Sequence, residues 1–318
     1  MTASSSGKGN VCVCDVAARD GLQSEKRIWS VNERVELINR LANTGIQRIE
    51  AVSFVNPKRV PQMADAEKVM AQIERKADVR IAGLALNMKG VERALDAGVD
   101  EVRYVVVASE TFSQKNQGAS IAETMTGLES IAGRVKASGK VFSAVIGASF
   151  GCPFEGEVTT SAVVDIGIRL GALGVDEILL ADTIGCAVPS QVRERVGALQ
   201  SALEDSTAVG CHFHNTRNTG IANAVAAVES GVRILDASVG GIGGCPFAPR
   251  ATGNISTEDL VYVLRNMGYE TDIDLPQLIN VAAWVEGYFD DPLPGQVMKA
   301  GLFPDDVIAR QAATSVQA

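Results

Sequence analysis

Eight short apolar runs recur along the chain, at residues 11–16, 48–54, 80–86, 101–108, 141–148, 177–181, 208–213 and 233–239. Helix-like segments separate them. Residues 31–43 place Val35, Leu37, Ile38, Leu41 and Ala42 at a 3.6-residue period and end at Gly45, a glycine suited to a helix C-cap. Similar segments are expected at 62–75, 89–97, 120–138, 160–173, 189–203 and 219–230. Three of them close alike, as DAGVD after Leu95, GALGVDE after Leu170 and ESGV after Val228. Strand-like segments alternating with helix-like ones point to a parallel sheet, in which each helix serves as the crossover between neighbouring strands. Eight repeats in roughly 240 residues match an α/β fold of the (β/α)8 TIM-barrel type. A doubly wound open sheet is the alternative, but no G-x-G-x-x-G follows the first run. Residues 256–266 are expected as the last barrel helix. The domain reading is a disordered leader over 1–10, a barrel over 11–268, a C-terminal helical extension over 269–304 with a helix at 275–289, and a flexible tail over 305–318.

Apolar residues make up 46% of the chain but aromatics only 5%, so Val, Ile, Leu and Ala must build the core. A formal charge of −9 and a pI near 4.9 argue against nucleic acid or an anionic membrane as a partner. No apolar run approaches the roughly 18–20 residues that span a bilayer. The first ten residues show neither a signal-peptide core nor an Arg-rich transit pattern and read as a disordered leader, while the cysteine usage makes a reducing cytoplasm the expected compartment. The six cysteines form no C-x-x-C pair, which disfavours a zinc knuckle and fits reduced, buried thiols.

The only two histidines, His212 and His214, stand one residue apart at the end of the seventh run. Residues i and i+2 of a strand face the same way. The pair is either a half-built divalent metal site or two hydrogen-bonded core imidazoles. Barrel chemistry gathers at strand C-termini, and there the sequence also places Arg19 and Asp20, Glu50, and Asp182. Buried charges must be paired. These either close the barrel top as an ion-pair network or converge on the cation the histidines hold. Two imidazoles and a carboxylate oxygen, completed by water or substrate, suit Mg²⁺ or Mn²⁺, with zinc second. The eighth run leads into GGIGGCP, whose Cys245 is either a silent thiol in a turn or a proton donor on a closing loop. That loop lacks the Lys-Ser/Thr of a phosphate-binding P-loop. Lys26, Arg27, Lys58 and Arg59 follow the first two runs, as solvated charges or as contacts to a phosphorylated ligand.

The motifs RDGLQ from Arg19, EAVSFV from Glu50, VPQMAD from Val60, DTIG from Asp182, HFH from His212 and GGCPF followed by Gly253-Asn254 together resemble the 3-hydroxy-3-methylglutaryl-CoA lyase family. That family belongs to a metal-dependent superfamily of TIM-barrel lyases and condensing enzymes. The resemblance runs from about Val11 to Leu264. It implies metal ligation by Asp20, His212, His214 and Asn254. It implies catalytic roles for Arg19 at the thioester oxygen, Glu50 orienting Arg19, Asp182 in proton transfer near the substrate hydroxyl, and Cys245 as the loop thiol. Gln23, Lys26, Ser53 and Thr183 are implied as substrate or CoA contacts. The expected reaction is cleavage of a 3-hydroxyacyl-CoA, such as 3-hydroxy-3-methylglutaryl-CoA, to acetyl-CoA and a keto acid such as acetoacetate. The expected assembly is a homo-oligomer, dimer or tetramer. One departure stands beside the metal motif: the typical lyase continues Asp-Thr-Tyr-Gly, whereas this chain reads Asn215-Thr216-Arg217-Asn218. The change bears on substrate identity, and Arg217 is a candidate partner for an additional carboxylate. A condensing enzyme of the isopropylmalate synthase type and a non-catalytic binding barrel are the alternative readings.

Overall fold

Eight parallel strands close into a barrel in sequence order in the computed structural model, which describes residues 8–244 and 253–303. They are β1 (Cys12–Asp15), β2 (Arg48–Ser53), β3 (Arg80–Leu84), β4 (Glu101–Val107), β5 (Val141–Gly147), β6 (Glu177–Asp182), β7 (Ala208–Phe213) and β8 (Ile234–Ala237), and β8 pairs back onto β1. The helices are α1 (Val31–Ala42), α2 (Ala66–Gln72), α3 (Met88–Asp96), α4 (Glu110–Gln117), α5 (Ile121–Ala137), α6 (Thr160–Ala172), α7 (Pro189–Ala202), α8 (Gly220–Glu229), α9 (Thr257–Asn266), α10 (Leu275–Glu286) and the short α11 (Val297–Ala300). Local sequence explains their ends. Ser30 and Glu33 form a capping box at the start of α1, and Ser120 and Glu123 repeat it at α5. Gly98, Gly174 and Gly231, the glycines of the three similar closing phrases, all adopt positive φ.

Two elements differ from expectation. The segment read as one helix over 62–75 is a short 3-10 turn at Pro61–Met63 and then α2, interrupted at Asp65, which lies in the left-handed region. Helix α4 carries a polar sequence and buries only Phe112 and Ser113, so it has no apolar stripe to betray it. Residues 8–10, assigned above to a disordered leader, are held by backbone hydrogen bonds from Lys8 to Gly268 and from Val11 to Glu270. The tail after Phe303 lies outside the described residues.

The apolar core is annular. Outward-facing residues such as Ile49, Ile81, Ile146, Ile178, Leu180 and Leu235 pack against helix residues such as Leu37, Leu41, Val196 and Leu199. Each such fully buried side chain contributes about 1.5–3 kcal/mol. The barrel interior is different. Its lower half is ionic, not aliphatic: Arg48 pairs with Glu101 and Glu177 at 2.5 Å, and Arg103 pairs with Asp236 at 2.8 Å and Glu101 at 3.2 Å. Below this plug a cavity of about 970 Å³ opens at the N-terminal end, lined by Arg48, Arg80, Asp100 and Glu177 among others. Among the described residues, one small apolar cluster lies inside, on β4, β5 and β6.

Candidate active site

The chain leaves β1 through a single wide helical turn over Ala17–Gly21, closed by the i→i+5 bond from Gly21 N–H to the Val16 carbonyl. Such turns concentrate at functional sites. This one sets Arg19 and Asp20 side by side at the barrel top. Glycine is required at its end, since a Cβ on Gly21 would lie 2.7 Å from Ile242 Cγ1. On β2 a bulge inserts Ala51, so that Glu50 pairs with Ala82 and Ser53 with Leu84. Glu50 and Ser53, three residues apart, thereby face the same side of the sheet. His212 ends up inside the barrel through its register with Ala181 and Asp236. His214 follows β7 and bridges to Asn254.

These elements bring the expected ligands together. The Nε2 atoms of His212 and His214 stand 3.1 Å apart, and Asp20 Oδ2 lies 3.8 and 3.7 Å from them. Asp20, His212 and His214 form a group whose ligand atoms all lie within 4.8 Å of one another. Asn254 Nδ2 donates to Asp20 Oδ2 at 3.0 Å, and its buried Oδ1 has no hydrogen-bond partner among the described residues. An unpartnered buried oxygen beside two converging imidazole nitrogens and a carboxylate is a donor set that suits a divalent cation. Burial pushes the Asp20 carboxyl up, but Arg19 and the two imidazoles outweigh it and hold it at about 2. Burial, joined by His212, lowers His214 to about 4, which keeps its imidazole neutral as a ligand must be.

Arg19 lies between two carboxylates, with Nη1 2.6 Å from Asp20 Oδ1 and Nη2 2.6 Å from Glu50 Oε2. Its guanidinium is locked at the edge of the cation group, with Nε unpartnered among the described residues. Ser53 is fully buried and its hydroxyl is likewise unpartnered among the described residues. Thr183 Oγ1 accepts from the Ala148 N–H at 2.9 Å. Asp182 is not part of the Asp20 group. Its two carboxylate oxygens accept the N–H groups of Cys186 at 2.8 Å and Ala187 at 3.0 Å. Burial raises its pKa, against those two bonds. Arg217, a candidate partner for a substrate carboxylate, is anchored by Nη1 to the carbonyls of Ile184 and Gly185 at 3.1 and 2.8 Å. Gln23 is half-buried and Lys26 exposed beyond the wide turn, while Arg27 pairs with Glu33 and stacks on Tyr288. Cys245 lies outside the described residues.

Sequence reasoning missed two members of the site. Asp236 Oδ2 stands 3.1 Å from His212 Nδ1, and Arg103 holds that carboxylate from the other side. Arg103 sits in the middle of an apolar run, where a buried cation is itself the signal that a carboxylate must face it.

The fold and site define a (β/α)8 enzyme that gathers Asp, His and Asn side chains at the C-terminal face of its barrel. A family model described as HMGL-like matches residues 10–285, and the chain belongs to that family. It is 44% identical over 301 residues to the (R)-citramalyl-CoA lyase of Chloroflexus aurantiacus, covering 92% of this chain and 95% of that one. To a hydroxymethylglutaryl-CoA lyase of Bacillus subtilis it is 37% identical, covering 90% and 95%. An HMG-CoA lyase from Acinetobacter baumannii, solved with coenzyme A and 3-methylmalate, superposes with a TM-score of 0.89 at 39% identity over 96% and 98% of the two chains. The protein is therefore a carbon–carbon lyase of the CoA-thioester type.

Proposed function

We propose that the protein cleaves a 3-hydroxy-3-methyl acyl-CoA bearing a carboxylate, 3-hydroxy-3-methylglutaryl-CoA or a close analogue, to acetyl-CoA and a keto acid, with Mg²⁺ or Mn²⁺ at Asp20, His212, His214 and Asn254. The observation that carries this reading is the convergence of those four residues next to an Arg19 clamped by Glu50. The citramalyl-CoA relative favours a shorter acid as the analogue, for which the keto product is pyruvate. The same groups run in reverse would condense a keto acid with acetyl-CoA. The relatives, a citramalyl-CoA lyase and a hydroxymethylglutaryl-CoA lyase, favour cleavage.

When bound, the cation would orient the substrate's hydroxyl and carboxylate oxygens and acidify the hydroxyl. The chain supplies the rest. Glu50 and Asp20 fix Arg19 so that a guanidinium N–H meets the thioester oxygen on which charge collects as the C–C bond breaks. A positioned, always-charged donor serves there as an oxyanion hole does. Asp182 braces the turn after β6 through two backbone N–H groups and is assigned the proton released from the substrate hydroxyl, which a carboxylate of raised pKa accepts. Ser53 and Thr183 present hydroxyls at the same mouth. Cys245, on the glycine-rich loop after β8, is assigned the proton delivered to the acetyl carbon. Lys26, at the open rim, is assigned the CoA arm. The protein is expected to act in the cytoplasm as a dimer or tetramer.

Incubation of purified enzyme with candidate 3-hydroxyacyl-CoAs and Mn²⁺, read by mass spectrometry, tests the proposal. Acetyl-CoA release that stops on chelation and returns on adding Mn²⁺ is the expected result. Arg19→Met should lower kcat by about 10²–10³ while the folded protein still takes up Mn²⁺. Full-rate cleavage by the chelated enzyme would sink the assignment.

A further inference from the structure

One side of the barrel mouth is apolar and open. The cluster inside the barrel comprises Val145 and Ala181 with Leu179 beneath, and Val105 packs on it while remaining partly exposed. Val105 lies mid-strand on β4, where the outer face is covered by helix, so its exposure is toward the barrel lumen. Register places this patch relative to the cation group. His212 pairs with Ala181, Leu180 pairs with Ile146, and Val107 pairs with Gly147. One step further along β5 and β6, the Ser149 N–H bonds to the Ala181 carbonyl. His212, Ala181, Gly147 and Val107 thus form one row across four adjacent strands, their side-chain positions facing inward. At about 4.8 Å per strand, Gly147 stands roughly 10 Å from His212. The two positions next to the histidine in that row are the two smallest residues available. A Cβ added at Gly147 would meet Val107 Cγ2 at 3.5 Å, and Thr183 Oγ1 and Val105 Cγ1 at 3.7 Å. A methyl-sized space is therefore open there, bounded by ordinary contacts.

Resting on the function proposed above, we infer that this cleft, formed by Gly147 and Ala181 and walled by Val105, Val107 and Val145, receives the apolar substituent on carbon 3 of the substrate and sets its permitted size. The carbinol carbon carries four groups. The hydroxyl and the carboxylate arm are drawn to the cation group, and the thioester arm to Arg19. The fourth, an alkyl group, has no polar partner and is left facing the strands opposite, where burial against valine stabilises it. Gly147 and Val105 are then specificity-determining residues.

The test compares kcat/KM for three 3-hydroxyacyl-CoAs that differ only in carrying hydrogen, methyl or ethyl on carbon 3, in the wild type, Gly147→Ala and Val105→Ala. Adding or removing a methylene in an apolar pocket shifts selectivity by about 10–200-fold. Gly147→Ala should cut kcat/KM for the methyl substrate by tenfold or more relative to the hydrogen substrate. Val105→Ala should raise the ethyl substrate by about tenfold relative to the methyl one. Mn²⁺ affinity, titrated separately on each folded variant, should stay at the wild-type value. Equal factors for all three substrates, or loss of Mn²⁺ in either variant, would overturn the assignment of the cleft alone. A wild type that cleaves none of the three overturns the functional reading and the cleft with it.

Discussion

At the scale of single residues, the pair Arg103–Asp236 decides how His212 is presented. Burial alone would raise the Asp236 pKa, but Arg103 and His212 hold its carboxyl well below the usual range, so it stays charged. It accepts from His212 Nδ1, which fixes the tautomer and leaves Nε2 free toward Asp20 and His214. His212 is itself raised above the ordinary histidine value, burial being outweighed by Asp236 and Asp20. Asp236→Asn is nearly isosteric but loses the charge. It should weaken Mn²⁺ binding by about 10–100-fold, measured by calorimetric titration, while the variant still folds. Unchanged Mn²⁺ affinity would remove Asp236 from the site.

At the scale of elements, residues 239–244 after β8 and residues 253–256 before α9 pack tightly against each other and position Asn254. Gly240 and Gly241 take positive φ, Gly295 N–H bonds to the Gly240 carbonyl, and a Cβ on Gly240 would strike Leu293. The C-terminal extension therefore supports the backbone at Gly240 from outside the barrel. At Gly253 the constraint is hardest, because a Cβ would lie 2.2 Å from the Gly241 carbonyl oxygen and 2.6 Å from that of Gly243. Backbone on both sides cannot yield cheaply. Gly253→Ala is expected to lower stability by about 2–4 kcal/mol and to weaken Mn²⁺ binding through Asn254. The control is Gly197→Ala on α7, where a Cβ meets nothing within 4 Å. That change should be stabilising by about 0.5–1 kcal/mol. Thermal melts of the two variants decide it, and equal melting temperatures would refute the argument.

At the scale of the whole molecule, two buried carboxyls link folding to pH. Desolvation raises Glu258 to about 7 and Asp15 to about 6, against hydrogen bonds from Gly240 N–H to the first and from Thr257, Ala17 and Val239 to the second. A carboxyl with a raised native pKa binds more protons folded than unfolded, so its stabilising contribution is lost as pH rises through the native value. For Glu258 the window runs from about 4.5 to about 7. Its effect is on the order of 3 kcal/mol. His214, lowered to about 4, acts in the opposite sense over part of that window, but equally in wild type and Glu258→Gln. In denaturant titrations the wild type should therefore lose unfolding free energy relative to Glu258→Gln between about pH 4.5 and 7, and identical pH slopes for the two proteins would show that Glu258 does not contribute.

The barrel was legible because its signal is repeated eight times: each apolar run must be buried on both faces, and each glycine-capped helix must return the chain. His212, His214, Asp20, Arg19 and Glu50 were legible because histidines are scarce here and charges at strand ends are costly to bury. Helix α4 escaped because only Phe112 and Ser113 turn inward. The bulge at Ala51 escaped because it depends on how β2 pairs with β3. The amino-acid sequence alone determined the alternation, the parallel sheet and the set of groups able to ligate a cation, since these follow from periodicity and residue chemistry. Tertiary structure alone decided that Asp236 and Arg103 stand behind His212, that the interior below them is ionic, and that Gly147 and Ala181 open a cleft beside it. Those facts depend on strand register, which closure of the barrel fixes and no local stretch of sequence encodes.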